Sequence, residues 1–241
     1  MSNIFNDEYS KLYDFNNYNK KADKVINKFI NYIKNNDIQI TSHIDFGCGT
    51  GYFCKLISDM GIDTMGIDIS HGMLKIAKEK YPNIDFKDGN IVDYKSKNKV
   101  DFISCNYDTV NHLLDFSEWK LFFENVYKNL NDGGLFLFDF VTMQKFKDTN
   151  EIEFSTRNNN YDYLICRIPI DNNRIISKFI FYIKENDSYK KVEQSITESF
   201  FDNDNIFNLL RETGFKILET YDKDLNKLEN DSNRIYVICQ K

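Results

Sequence analysis

The stretch His43-Ile44-Asp45-Phe46-Gly47-Cys48-Gly49-Thr50-Gly51-Tyr52-Phe53 decides how the chain is read. Its first four residues form a short β-prone run that stops in three glycines at alternate positions. Tyr52 then opens a helical run to Met60, whose end is marked by Gly61. Between a strand and a helix, a backbone without Cβ atoms can approach a nucleoside closely, and the helix N-terminus adds a partial positive charge. The residues downstream give this loop its meaning. Asp63 to Ile69 is a second strand with Asp68 near its end, and that strand lies beside the first. The Asp68 carboxylate can therefore reach two vicinal ribose hydroxyls in the crevice at the strand C-termini. Hydrogen bonds of this kind to a charged acceptor contribute roughly 1.5–3 kcal/mol. A third acid, Asp88 in Lys87-Asp88-Gly89-Asn90, follows the strand Ile84 to Lys87, where an adenine amino group needs an acceptor. The competing reading makes the glycines a tight turn and the acids solvated loop residues.

Outward from this motif, apolar spacing predicts an amphipathic helix over 20–36 and a helix capped by Ser70 with Met73, Leu74 and Ala77 on one face. Val100 to Cys105 is a fourth strand. Ser117 caps a helix carrying Trp119, Phe122, Phe123, Val126 and Leu130 that stops at Asp132-Gly133-Gly134. Leu135 to Val141 is a nearly all-apolar fifth strand, the pattern of one covered on both faces. Alternation of this kind gives a parallel sheet with right-handed crossovers. Over 142–200 the pattern changes to β-prone runs (Ile152-Glu153-Phe154, Tyr163 to Ile168, Ile175 to Ile183, Val192 to Phe200). Turn clusters such as Asn158-Asn159-Asn160 and Asp171-Asn172-Asn173 separate them, implying an antiparallel sheet. A helix from Asn205 to Thr213, stopped by Gly214, and the strands Lys216 to Tyr221 and Arg234 to Cys239 close the chain. The expected organisation is one α/β domain from 1–141 and 201–241, interrupted by an antiparallel β insertion over 142–200. The insertion reads as the lid or wall of an acceptor pocket, with a dimerisation sheet as the alternative.

Composition narrows the partners. The net charge of −6 and the scattered lysines disfavour a nucleic-acid backbone and favour a small-molecule substrate. No apolar run approaches the roughly 18 residues of a membrane helix. The N-terminal segment, with Asp7 and Glu8, is too polar for a secretory signal, so the expected location is cytoplasmic, without membrane partners. Five cysteines lie far apart, with no Cys/His cluster at metal spacing; they read as reduced buried thiols, and no metal is expected. The oligomeric state is left open between monomer and homodimer.

The loop Asp45-Phe46-Gly47-Cys48-Gly49-Thr50-Gly51, Asp68, Asp88 and Asn106-Tyr107 after the fourth strand match, in order, the class I S-adenosylmethionine-dependent methyltransferases, which this chain resembles from about 40 to 141. The terminal strand pair resembles that family's reversed β-hairpin. The resemblance implies a Rossmann-like seven-stranded sheet of order 3-2-1-4-5-7-6 with strand 7 antiparallel. It implies S-adenosyl-L-methionine as cofactor and S-adenosyl-L-homocysteine as product. Gly47, Gly49 and Gly51 would contact the methionine part with Asp45 nearby. Asp68 would bind the ribose, Asp88 with Asn90 the adenine, and Asn106 the methionine ammonium.

Methyl transfer from a sulfonium is an in-line displacement, so placing the acceptor lone pair is the main task, and positioning can supply up to about 7–11 kcal/mol. An ammonium or hydroxyl acceptor must also lose a proton. His112, in Tyr107-Asp108-Thr109-Val110-Asn111-His112, is the candidate base on the rim after the fourth strand. Its place resembles that of a His in the aminosugar N,N-dimethyltransferases; a solvent-facing residue at a helix start is the other reading. Tyr107 falls on the same rim. Tyr9 and Tyr13 resemble the Tyr-rich N-terminal segment that covers the cofactor in small-molecule enzymes, with Tyr13 on the cofactor and Tyr9 on the acceptor; ordinary packing explains them equally. The acceptor atom is N or O. Two alternatives stand beside this reading, an NAD(P)-dependent dehydrogenase and a non-catalytic S-adenosylmethionine-binding module. Against the dehydrogenase, the loop is G-x-G-x-G rather than G-x-G-x-x-G, and no Tyr has a Lys four residues later.

Overall fold

A computed structural model of the chain describes residues 5–15, 19–148, 152–157, 161–228 and 232–241. Helices α1 (Asp7–Phe15) and α2 (Asn19–Asn35) precede an alternating run. It consists of β1 (Ser42–Phe46), α3 (Tyr52–Ser58), β2 (Asp63–Asp68), α4 (His71–Lys80), β3 (Asp85–Asp88) and β4 (Val100–Cys105), then a single 3₁₀ turn (Thr109–His112), α5 (Phe116–Asn129) and β5 (Leu130–Val141). After α6 (Met143–Asp148) come four consecutive strands, β6 (Ile152–Arg157), β7 (Tyr161–Pro169), β8 (Arg174–Glu185) and β9 (Ser188–Ser199). Helix α7 (Asn203–Thr213) and strands β10 (Lys216–Tyr221) and β11 (Arg234–Gln240) end the chain.

Seven strands form one sheet in the order β3-β2-β1-β4-β5-β11-β10. Pairs within β1 to β5 are parallel, whereas β11 runs antiparallel to both β5 and β10. This is the expected 3-2-1-4-5-7-6 arrangement with its antiparallel last strand. Its centre is apolar on both faces because successive β5 side chains point to opposite sides. Phe136, Phe138 and Phe140 pack with Trp119, Phe122 and Phe123 of α5 and with Leu209 and Leu210 of α7. Leu135 and Leu137 instead meet Phe29 of α2 and Phe53 and Ile57 of α3.

Local chemistry departs from the sequence reading at element ends. Helix α5 is capped by Asp115, not Ser117: the Asp115 side chain and Glu118 form a capping box two residues earlier. The Asp132-Gly133-Gly134 break falls inside β5, where the pairing with β4 shifts register between Val100 and Phe102. The glycines thus serve as a strand irregularity rather than a helix stop. Ser70 caps α4 as expected, accepting from the Met73 amide. Helix α6 was not anticipated, nor was α1, whose Tyr9 and Leu12 are buried.

Strands β6 to β9 form a separate antiparallel meander. Asn158-Asn159-Asn160 lies outside the described residues. The second turn cluster joins β7 and β8 as expected. One face of the meander is buried: Tyr163, Ile165, Phe181, Val192 and Ile196 pack with Tyr9 and Leu12 of α1 and Met73 of α4. Its last strand is also fastened to the parallel domain. The Asn111 amide nitrogen donates to the Ser199 carbonyl (2.7 Å) and the Ser199 hydroxyl to the Leu113 carbonyl (2.6 Å).

Candidate active site

The carboxyl ends of β1, β2 and β4 form one side of a cavity of about 560 Å³; α1 and the buried face of β7 to β9 contribute to the other. That volume is typical of a small-molecule site.

On the first side the glycine loop is drawn onto β2 by the Gly47 and Cys48 amides, which donate to the Ile67 carbonyl at 2.8 and 3.0 Å. Gly47 sits at φ +73°, and a Cβ there would come within 2.3 Å of Thr109. Gly49, at φ +53°, has nothing within 4 Å of its would-be Cβ, and it lines the cavity. One glycine is thus demanded by the protein's own packing, and the other leaves open space over the loop.

Asp68 is buried at the end of β2, and its two oxygens accept from the Gly49 and Ser70 amides, each at 2.8 Å. Burial raises its carboxyl above the ordinary value, opposed by these two amides. The carboxylate therefore ties the loop to β2 while lining the cavity. Asp45, next to last in β1, is buried and lines the cavity. Ser104 donates to its Oδ1 and Cys54 to its Oδ2, and His43 Nε2 lies 2.8 Å from Ser104 Oγ. Burial pushes the Asp45 carboxyl up to about 7 and the His43 imidazole down to about 3, so His43 is neutral.

Asn106, just past β4, is 5% exposed, and neither its amide nitrogen nor its oxygen has a hydrogen-bond partner. Buried amides are almost always satisfied; this one lines the cavity with both groups unspent. Tyr107 and Asp108 follow at φ +64° and +54°, a backbone that costs non-glycine residues about 1–2 kcal/mol each. The Asp139 carboxylate holds them there by accepting from both amides. Arg234 in turn donates to Asp139 and, at 2.8 Å, to Asp108, and Lys145 stands 3.5 Å from Asp108. Burial alone would raise the Asp108 carboxyl; Arg234 and Lys145 overcome it and hold it well below the usual carboxylate range.

Of the residues expected from sequence, Tyr9, Tyr13, Asp45, Gly47, Gly49, Asp68, Asn90, Asn106, Tyr107 and His112 all line this one cavity. Two do not. Gly51 is packed instead: a Cβ would strike Phe86, so it shapes the turn into α3. Asp88 lies among exposed residues beside His71 Nδ1 at 3.3 Å, whereas the next residues, Gly89, Asn90 and Ile91, face the cavity. Asp88 is the last residue of β3 and is exposed although it shares a face with the buried Phe86, and the cavity wall is continued by the turn after it.

His112 closes the 3₁₀ turn, its ring edge-on to Phe5 with centroids 5.7 Å apart and its Nδ1 buried without a partner. The Tyr107 hydroxyl is also buried and unpartnered, and burial drives its phenol well above the usual range. Sequence reading missed Glu198, Lys145, Asp139 and Arg234. For Asp139 a signal existed: it is the lone charge inside Leu135 to Val141, and a buried charge requires a partner. Among the described residues no group of three or more His, Cys, Asp and Glu could hold a metal.

The arrangement suits S-adenosylmethionine. The open space at Gly49 admits a close approach, Asp68 offers acceptors, and the orphaned Asn106 amide offers both a donor and an acceptor. Comparison with known proteins agrees. A family model described as a methyltransferase domain matches residues 44–134. A protein of Geobacillus sp. (strain WCH70), assigned as a methyltransferase, is 25% identical over 206 residues, 82% of this chain and 83% of that protein. The crystal structure of an S-adenosylmethionine-dependent methyltransferase from Clostridium acetobutylicum superposes with a TM-score of 0.84 at 22% identity, covering 96% of this chain and 95% of that one. An S-adenosylmethionine-bound amino pentose methyltransferase from Micromonospora echinaspora gives 0.76 at 14% identity, with 100% of both chains covered. At these identities the two structures speak for the fold.

Proposed function

We propose that this chain, which is a class I S-adenosylmethionine-dependent methyltransferase with S-adenosylmethionine as its cofactor, methylates an amine nitrogen of a small molecule. The observation that carries the reading is His112. It lines a cavity that has the glycine loop and Asp68 in one wall and the rings of Phe179, Phe181 and Phe200 in another, and its buried Nδ1 is not engaged by any other side chain or backbone group. Nitrogen is chosen over oxygen by analogy with a sugar N-methyltransferase that shares the fold. The cofactor supplies a methyl group made electrophilic by its sulfonium.

In this reading the 47–51 loop and Asn106 hold the methionine part, with Asp45 behind them. Asp68 accepts from the ribose hydroxyls, and Asn90 with Gly89 borders the adenine. Tyr13 covers the cofactor, while Tyr9 and Tyr107 border the acceptor. His112 takes the proton that the methylated nitrogen loses. The 142–200 sheet serves as the lid: its buried face, with α1, excludes water from the reacting atoms. No helix among the described residues is long and apolar enough to cross a membrane.

Calorimetric titration with S-adenosylmethionine, S-adenosylhomocysteine, NADH and NADPH, followed by a mass-spectrometric screen of matched amines and alcohols, tests the proposal. Binding of the first pair alone and methylation of amines is the expected result. Methylation confined to alcohols or carboxylates would replace the amine reading.

A further inference from the structure

Glu198 has no part in the roles given above. It stands next to last in β9, on the buried face of the meander, is 8% exposed, and lines the cavity. Its Oε1 has no hydrogen-bond partner. Lys145 Nζ lies 3.8 Å away, beyond hydrogen-bond length, and closer to Asp108 at 3.5 Å. An ionised carboxylate is costly to bury unless something donates to it. Lys145 is its ion-pair partner at 3.8 Å, and the Glu198 side chain is among those that line the cavity.

Position adds to chemistry. The next residue, Ser199, is bonded to Asn111 and Leu113, which flank His112. Glu198 and His112 therefore enter the same cavity from backbones tied to each other. Phe5, Phe179 and Phe200 line that cavity with them, and aromatic faces favour a cation over a neutral hydroxyl.

We propose that Glu198 is the acceptor-binding carboxylate, receiving an N–H of the acceptor amine and holding its nitrogen within reach of His112. This rests on the amine reading above. The nitrogen lone pair forms the new C–N bond as the C–S bond breaks, and the bonding pair leaves on sulfur. The product ammonium then gives one proton to His112. Positive charge thus moves from sulfur to nitrogen, and a fixed carboxylate beside that nitrogen stabilises it as it develops.

Benzylammonium and benzyl alcohol, equal in shape and different in charge, are the probes. They are titrated into protein saturated with S-adenosylhomocysteine, for the wild type, Glu198→Gln and Glu198→Asp. The wild type should prefer benzylammonium by about tenfold or more. Glu198→Gln should lose the preference while keeping its melting temperature and its affinity for S-adenosylhomocysteine, and Glu198→Asp should restore part of it. Equal wild-type affinity for the two probes overturns the assignment. So does a preference that survives in Glu198→Gln, or a Glu198→Gln loss matched by an equal loss of S-adenosylhomocysteine affinity. If the charge preference depends on Glu198 but only alcohols are methylated, the cation site stands and the amine reading falls.

Discussion

The two walls of the cavity are made from different materials. The wall under the 47–51 loop is mostly backbone: the Gly47, Cys48, Gly49 and Ser70 amides are all engaged by β2, through the Ile67 carbonyl and the Asp68 carboxylate. The wall around His112 is side chain, drawn from α1, the 3₁₀ turn, α6 and β7 to β9, with Asn111 and Ser199 as the seam. A backbone wall suits a ligand that never changes, because glycine conformations and strand ends leave little freedom to vary. A side-chain wall can change its shape and charge by substitution without disturbing the sheet, which suits the variable partner of the reaction.

Breaking the joint between the walls gives the largest expected effect. Arg234 is buried against Asp108 and Asp139, and Asp139 accepts from the amides of both left-handed residues, Tyr107 and Asp108, between the walls. Arg234→Met leaves the buried Asp139 and the half-buried Asp108 without this partner and should cost about 3–5 kcal/mol of stability, measured by urea denaturation. A loss below ~1 kcal/mol would mean that Lys145 suffices to compensate the cluster.

The His112→Ala substitution separates the walls by function. Turnover should fall by roughly a hundredfold or more, the usual contribution of a placed acid or base. The dissociation constant for S-adenosylhomocysteine should stay within about twofold, since the imidazole is assigned to the acceptor wall. Equal losses in both quantities would move His112 to the cofactor.

Asp68→Asn probes the backbone wall directly. The charge is lost while the shape persists, and S-adenosylhomocysteine should bind about 1.5–3 kcal/mol more weakly by calorimetry. The protein should also melt lower, because the Gly49 and Ser70 amides lose a charged acceptor. Unchanged affinity would remove Asp68 from the ribose.

The same contrast explains what could be read in advance. The wall of the 47–51 loop is local in sequence: strand periodicity and one glycine motif point to the loop and Asp68, and the family resemblance points to Asn106 after the fourth strand. Asp88 shows the limit of that reasoning, because the cavity is lined by the turn just past β3, which strand periodicity does not place. The acceptor wall joins residues 5, 9, 112, 145, 179 and 198, brought together only by tertiary packing. Glu198 sits among β-prone residues in a run that differs little from an ordinary strand end, and Lys145 lies in a helix that the sequence did not announce. Tyr9 and Tyr13 follow from resemblance alone; Tyr9 is buried and Tyr13 partly buried against the meander, and this packing puts α1 over the cavity.

The smallest effect expected concerns Asp45, which lies beneath both walls. Its carboxyl is raised to about 7, first by burial and further by Asp68, against the donated bonds of Ser104 and Cys54. His43, its neighbour through Ser104, stays neutral and so does not offset the charge. Below pH 7 the unliganded protein therefore keeps Asp45 protonated. The ammonium of a bound methionine group favours the carboxylate, so binding there must release that proton. Affinity for S-adenosylhomocysteine should accordingly rise by about tenfold from pH 5.5 to pH 7, below the range near 7.7–8 in which an α-amino group itself titrates. The sign for folding is opposite. A raised carboxyl contributes stability at low pH that is lost as pH climbs from the ordinary carboxylate range through about 7. Asp45→Asn should flatten the binding profile and remove this part of the stability loss. A pH-independent affinity in the wild type would mean that the ammonium is held by Asn106 without help from the acid behind it.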